Sequence, residues 1–215
     1  MFRYTNNIVL QQYDARLIAA HHPRASNSTE TPPANRAEVC DALDFYRHRS
    51  FRKKPMDLQI VKADYRDPQH ARALIALLDA YARDPMGGGE PLREDVKERL
   101  VPMLAQHPTA FSILAFIASE PVGLANCFEG FSTFACKPLL NIHDFVVMRP
   151  WRGHGIGRRM MAHLEELAKE RGCCKLTLEV LENNHAAKAL YRHCGFADYR
   201  LAAAAGNALF WQKYL

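Results

Sequence analysis

The sequence predicts a chain of the α/β (α+β) class, built as one mixed sheet covered by helices. Two observations carry that expectation. Alternating apolar and polar runs interleave with stretches of helical period in the order β-α-α-β-β-β-α-β-α-β-β. This order mixes hairpins, which make antiparallel pairs, with helical crossovers, which make parallel ones. The second observation is bulk: 215 residues, 48% hydrophobic and 24% charged, describe a globular chain long enough for one domain and a remainder.

The elements follow in order. Leu58 to Ala63 alternates as a strand, and Pro68 to Arg83 carries Leu74, Leu77, Leu78 and Tyr81 at helical spacing behind Pro68. Asp84-Pro85-Met86-Gly87-Gly88-Gly89 breaks that helix. Pro91 to Gln106 predicts a second helix with Leu92, Val96, Leu100 and Met103 on one face. Thr109 to Ser119 and Val122 to Phe131 are β-rich runs, predicted as a hairpin turning at Glu120-Pro121. Leu139 to Met148 is the next strand. A helix from Ile156 to Arg171 buries Ile156, Met160, Leu164 and Leu167, pairs Glu165 with Lys169 outside, and closes at Gly172. Lys175 to Leu181 is a strand, Asn184 to Cys194 a short helix stopped by Gly195, and Phe196 to Leu201 and Leu209 to Leu215 are predicted terminal strands.

Composition excludes several classes. The longest apolar run, Thr109 to Ala118, is about half of the roughly 20 residues a bilayer span requires. The first residues lack the apolar core and cleavage site of a secretory leader, and the six cysteines show no CxxC pair, so a reducing cytoplasmic setting is expected. Of 28 Lys/Arg and 23 Asp/Glu, nine and five fall in residues 1–55, leaving positions 56–215 nearly neutral. Without a basic stripe, no nucleic-acid partner is expected. Residues 1–55 read as an N-terminal extension, either dispensable, with Met56 the working start, or a flexible basic tail; residues 56–215 form the working domain. The histidines and cysteines lack metal-ligand spacing, so no metal is assigned.

One motif carries chemistry. Arg152-Gly153-His154-Gly155-Ile156-Gly157 follows a strand and opens a helix. Free backbone N–H groups and the positive end of the helix dipole converge there, and glycines let a phosphate approach the main chain. A dinucleotide fingerprint would need a third glycine where Arg158 or Met160 stands, and a P-loop would need Lys-Ser/Thr where Arg158-Arg159 follows Gly157.

The same six residues have the Arg/Gln-x-x-Gly-x-Gly/Ala form of the GNAT superfamily of N-acetyltransferases. The strand Ile142 to Val147, the helix, the strand Leu176 to Val180, Asn184 with Tyr191 seven residues later, and Gly195-Phe196 fall in that family's order. The resemblance is strongest over Leu139 to Phe196, extends loosely to Leu58 to Leu215, and does not touch residues 1–55. It implies a mixed, mostly antiparallel sheet with splayed central strands, acetyl-CoA as co-substrate, a small-molecule amine as acceptor, and a homodimer. By the same resemblance, backbone groups of Phe145 and Val147 pair with the pantetheine arm, and Arg152, Gly153, His154, Gly155, Ile156, Gly157 and Arg158 cradle the pyrophosphate. Asn184 then bonds near the far end of the arm, the Val147 N–H polarises the thioester carbonyl, and Tyr191 serves the departing thiolate.

Acetyl transfer to an amine needs a base, because a lysine-like amine is neutral in only about one molecule in 10³ at pH 7. His143 and Asp144 are the candidates, with Glu179 behind them; strict strand alternation sends His143 and Asp144 to opposite faces. The subgroup most resembled, the diamine and polyamine acetyltransferases, places a carboxylate where His143 stands, and a histidine lacks the permanent negative charge that holds a polycation. Asp84 and Glu90, in the loop between the first two helices, are candidates to hold a cationic substrate together with His143. Plainer roles exist for each: core packing for Tyr191, a structural strand histidine for His143, and solvated loop charges for Asp84 and Glu90. A catalytically silent acetyl-CoA-binding module and a dinucleotide-binding oxidoreductase are the competing functional readings.

Overall fold

A computed structural model of the chain describes residues 57–199, 206 and 208–215; the expectations for residues 1–55 and for Arg200 and Leu201 lie outside these. Five strands form one sheet in sequence order: β1 (Leu58–Lys62), β2 (Ala110–Ile117), β3 (Glu120–Ser132), β4 (Lys137–Val147) and β5 (Leu176–Leu178). All pairings are antiparallel except β4 with β5. A dinucleotide fold, which rests on a doubly wound parallel sheet, is not what these residues build.

Helix α1 (Pro68–Ala82) starts where Asp67 accepts the N–H groups of Gln69 and His70, with Pro68 in the first turn. Its Leu74, Leu77 and Leu78 pack with Val101 and Leu104 of α2 (Glu94–Gln106) against Leu114, Phe116, Leu124 and Val146 of the sheet. Each wholly buried leucine there is worth about 1.5–3 kcal/mol, whereas the exposed Arg83–Asp79 pair contributes well under about 1 kcal/mol, so burial seats α1. Helix α2 begins three residues later than Pro91, because the Leu92 N–H donates to Asp79 Oδ1 of α1 and holds that stretch outside the helix. Its buried residues are Val101 and Leu104, while Met103, predicted to share a face with Leu92, Val96 and Leu100, is 54% exposed.

The β2–β3 hairpin turns at Ala118-Ser119, both at positive φ, two residues before the predicted Glu120-Pro121. A two-residue turn with both φ positive matches the twist of its strands, and Pro121 instead enters the ladder opposite Phe116, beside a register shift. On the other sheet face lies α3 (Ile156–Glu170), burying Ile156, Met160, Met161, Leu164 and Ala168. Leu167 is only half-buried, and Lys169 pairs with Glu165 at 2.9 Å as the spacing predicts. Among the described residues helix α4 (His185–His193) is the last regular element. Among the described residues, Phe196–Tyr199 and Leu209–Leu215 form no strand despite their alternation, and Phe210 and Trp211 are exposed.

Among the described residues no helix is long and apolar enough to cross a membrane. The five described cysteines are free, and burial, aided by the negative charge of Asp144, pushes the Cys127 thiol up to about 12. Native-state alkylation followed by mass spectrometry is expected to label exposed Cys136 and Cys174 and to spare Cys127 until the chain unfolds. A second expectation concerns Gly123, where an added Cβ would lie 2.6 Å from the Met160 sulfur and 3.3 Å from the Ala115 Cβ. Gly123→Val should therefore lose about 1–3 kcal/mol in denaturant unfolding by lifting α3 off the sheet.

Candidate active site

The site begins where two strands part. β5 runs beside β4 only at Leu140–Leu176, Asn141–Thr177 and Ile142–Leu178. On the β3 side Asn126 pairs with Asp144 and Cys127 with Ile142, so His143 is an extra residue with no β3 partner, a bulge that redirects β4. Residues 143–147 therefore have β3 on one side and no β5 on the other. The Met148 N–H donates to the Val122 carbonyl at 2.8 Å, which sets the alternation of the ladder: residues 144 and 146 bond toward β3, and the main-chain groups of Phe145 and Val147 point into the parting.

The bulge corrects one expectation. His143 and Asp144 do not face opposite ways. Asp144 Oδ2 accepts from Asn126 Nδ2 at 2.9 Å on the α1–α2 face, and the exposed His143 ring stands edge-on to Phe128, 5.4 Å between centroids, on that same face. Glu179 is exposed beyond the end of β5, held by Asn141 Nδ2 at 3.3 Å.

After β4 a short 3-10 turn (Arg149–Trp151) leads to the glycine loop. Gly153 and Gly155 adopt φ of 80° and 79°, left-handed values that side chains resist, and Gly155 caps α3 with no side-chain bond. The first intrahelical bond is from the Arg159 N–H to the Gly155 carbonyl, so the amides before it have no helical acceptor. Gly153 and His154 are exposed, and His154 Nδ1 lies 3.0 Å from the Arg152 carbonyl. Gly157 has a different task from the one its motif position suggests. A Cβ there would lie 3.0 Å from Leu190 and 3.7 Å from the Phe145 ring, so its bareness is what lets α4 close against α3 and β4. The Arg158 guanidinium reaches His193 at 3.1 Å.

Arg152 uses its side chain as a strut. Its Nε donates to the Val147 carbonyl and its Nη2 meets Asp84 Oδ2, both at 2.9 Å. Asp84 also accepts the Met86 N–H. Burial alone would raise the Asp84 carboxyl, but the Met86 N–H and Arg152 outweigh it and hold the group below the usual carboxylate range. Asp84 is thus committed to pinning its loop to β4 and is not free to hold a cation, in contrast with the sequence expectation. Glu90 is exposed, and its N–H donates to the Ala82 carbonyl.

Tyr191, on α4, is 8% exposed. Its ring meets Phe145 at 6.2 Å and Phe196 at 6.0 Å, and the Phe196 N–H donates to its carbonyl. Burial, helped by nearby Tyr81, pushes its phenol up to about 12, so it stays protonated at neutral pH. Tyr81, which shares its helical spacing with Leu74, Leu77 and Leu78, stands at the end of α1. Burial raises its phenol, helped by the negative charges of Asp144 and Asp84, and its own presence adds to the rise of the Tyr191 phenol. No spacing signal marks that influence. Asn184 caps α4 by accepting the Ala187 N–H through Oδ1, leaving Nδ2 as the atom for any contact with a ligand. Two surface clefts, of about 440 and 630 Å³, lie along α3 and between α1 and α2, and none of these residues lines them. Among the described residues no group of three or more His, Cys, Asp or Glu could hold a metal ion.

The acetyltransferase (GNAT) family model matches residues 76–196. A thialysine N-epsilon-acetyltransferase of Caenorhabditis elegans is 28% identical over 130 residues, 58% of this chain and 75% of that protein. The streptothricin acetyltransferase of Streptomyces lavendulae is 40% identical over 82 residues, covering 38% of this chain and 43% of the relative. Among solved structures, a probable acetyltransferase superposes with a TM-score of 0.61 at 17% identity, over 73% of this chain and 99% of that one. An aminoglycoside acetyltransferase from an uncultured soil metagenomic sample, in complex with sisomicin, superposes at 0.59 and 18% identity, over 73% and 97%. At these identities the two structures share the fold.

The Arg152 strut generates a direct expectation. In Asp84→Asn the loop loses its ionic anchor, so amide hydrogen exchange at Met86 to Gly89 should accelerate about tenfold while that of α3 is unchanged.

Proposed function

The chain belongs to the acetyltransferase (GNAT) family and is an N-acetyltransferase; on that premise we propose that it moves the acetyl group of acetyl-CoA to a primary amine of a small molecule, by direct attack in a ternary complex. The observation that most supports this is the parting of β4 from β5. It leaves the main-chain groups of Phe145 and Val147 without a strand partner on that side, between an open amide loop and a buried, protonated phenol.

In this reading the pantetheine arm pairs with Phe145 and Val147 as an added strand, and the amides from Gly153 to Arg158 receive the pyrophosphate. The Val147 N–H is the donor aimed at the thioester oxygen as it gains charge. The acceptor enters from the α1–α2 face, where Asp144, His143 and Tyr81 stand. Asp144 accepts the ammonium proton, directly or through a water. The neutral amine attacks the carbonyl carbon, and the tetrahedral intermediate collapses by breaking the C–S bond. Asp144 releases the first proton to solvent, the nitrogen sheds its second to water, and the leaving sulfur takes a proton from Tyr191, which water restores. The ammonium and the thioester thereby become an amide, a free thiol and one proton.

Tyr191 faces that sulfur in this arrangement. An ordinary thiol titrates near 8.5, so a phenol at about 12 would be a weak acid toward its thiolate, by roughly three units. The phenol therefore acts first as a hydrogen-bond donor. Proton transfer completes as desolvation in the same cleft raises the basicity of the thiolate. We also place the protein in the cytoplasm, in keeping with its five free described cysteines, and infer a homodimer, which light scattering tests.

A thiol-release assay with acetyl-CoA and a panel of amines, amino acids and peptide N-termini should find turnover on a small primary amine; silence across the panel would overturn the reading. Tyr191→Phe should lower kcat by about 10²-fold and leave acetyl-CoA affinity within about twofold by calorimetry. Because the raised phenol keeps its proton through pH 10, an alkaline limb below pH 10 that disappears in Tyr191→Phe would contradict this role.

A further inference from the structure

Two polar side chains are buried in the middle of an otherwise apolar sheet face. Ser112 is 0% and Asn126 3% exposed, among Leu114, Leu124 and Phe116. A buried hydroxyl or amide is costly whenever one of its bonds is lost, and an aliphatic pair would fill the same space without that risk. The sheet does not need them. What they do is join Tyr65 to Asp144: Tyr65 Oη and Ser112 Oγ lie 2.9 Å apart, Ser112 Oγ donates to Asn126 Oδ1 at 2.6 Å, and Asn126 Nδ2 donates to Asp144 Oδ2 at 2.9 Å.

The direction of this chain follows from its last member. An ionised carboxylate only accepts, so the amide must turn its NH₂ toward Asp144 and its oxygen toward Ser112. Ser112 then spends its single proton on Asn126, and Tyr65 must donate to Ser112. Each group thereby settles the orientation of the next, and a reversed amide would set two oxygens against each other at Asp144.

We propose that Tyr65, Ser112 and Asn126 form a one-way hydrogen-bond chain that positions the Asp144 carboxylate for the acceptor amine, with Asn126 as the principal positioning residue. It occupies Oδ2 and sets the carboxylate plane beside the bulge, so that Oδ1 is the oxygen presented to the amine. The inference rests on the acetyl-transfer reading above and adds to it which of the two adjacent candidates, His143 or Asp144, is held in place from behind: the chain of hydrogen bonds ends on Asp144, while the exposed His143 ring meets the edge of Phe128.

The test uses the full chain and the best amine found by thiol release. Misplacement of a reacting group by about 1 Å costs on the order of 10²-fold. Asn126→Leu should therefore lower kcat/KM for the amine by about 30- to 100-fold, Ser112→Ala by several-fold and Tyr65→Phe least, with acetyl-CoA affinity unchanged within about twofold. In an Asp144→Asn background, Asn126→Leu should add less than about threefold, because its effect runs through Asp144. Equal effects in the two backgrounds, or acetyl-CoA affinity falling in parallel, would overturn the proposal, as would Tyr65→Phe being the most damaging. Ser112→Ala carries the same comparison if Asn126→Leu does not fold. Without any turnover assay, the Asn126 side-chain amide protons should be protected from exchange and lose that protection in Asp144→Ala. Wild-type protein silent toward every amine would sink the underlying acetyl-transfer reading, while unprotected Asn126 protons would sink the chain.

Discussion

A single extra residue in β4 governs the rest of the architecture. Parallel pairing with β5 requires β4 to keep its pleat, and the pleat ends at Ile142, because His143 has no β3 partner. From there β4 stays with β3 and departs from β5. One local irregularity thereby creates a stretch with no strand partner on its β5 side, where only the Val147 carbonyl is met, by Arg152 Nε, among the described residues; in most sheets such a stretch is a liability at the edge. Here it is central and flanked by α4, the setting in which an extended ligand can take the place of a strand. The bulge also sets two neighbouring titratable side chains on the same face, an arrangement an ideal strand forbids.

The parts around this opening are tied together by few but specific contacts. Arg152 bonds at once to the Val147 carbonyl and to Asp84, which connects the end of β4, the glycine loop and the loop after α1. Exposed ion pairs contribute little to stability, so the value of this one lies in geometry. The missing side chain of Gly157 works in the same direction by letting Leu190, and with it Tyr191, approach β4. Both residues belong to a motif usually read for phosphate alone, yet their structural duty here is to fix where α4 and the α1 loop stand.

Charge is distributed unevenly across the site. Apolar burial surrounds Tyr191 and keeps its proton on, while Asp144 is served by a buried donor and Asp84 by a guanidinium. A protonated phenol on one side of β4 and carboxylates toward the other is the polarity that acyl transfer from a thioester to an amine requires. Tyr81, packed on the α1–α2 core, feels the charge of both carboxylates through the fold of α1 and not through any local pattern.

Much of this was legible from the chain alone, and for a physical reason. Helical and strand periods, the proline and glycine stops, the strand–glycine-loop–helix motif and the Asn184–Tyr191 spacing are local, set by side chains within a few residues of each other. They were enough for α1, α3, α4, the central strands and the family resemblance. What stayed hidden depends on partners far along the chain. The β2–β3 turn shifted to Ala118-Ser119 because β3 takes in Pro121 at a register change, and α2 started late because Leu92 bonds back to α1. Leu209 to Leu215 carries a strand pattern without a described strand to pair with. The facing of His143 and Asp144, the capture of Asp84 by Arg152, the place of Tyr81 and the line from Tyr65 to Asp144 are decided by register and helix packing. A residue's sequence states which chemistry it carries, and only the folded neighbours, tens of residues away, decide where that chemistry is aimed.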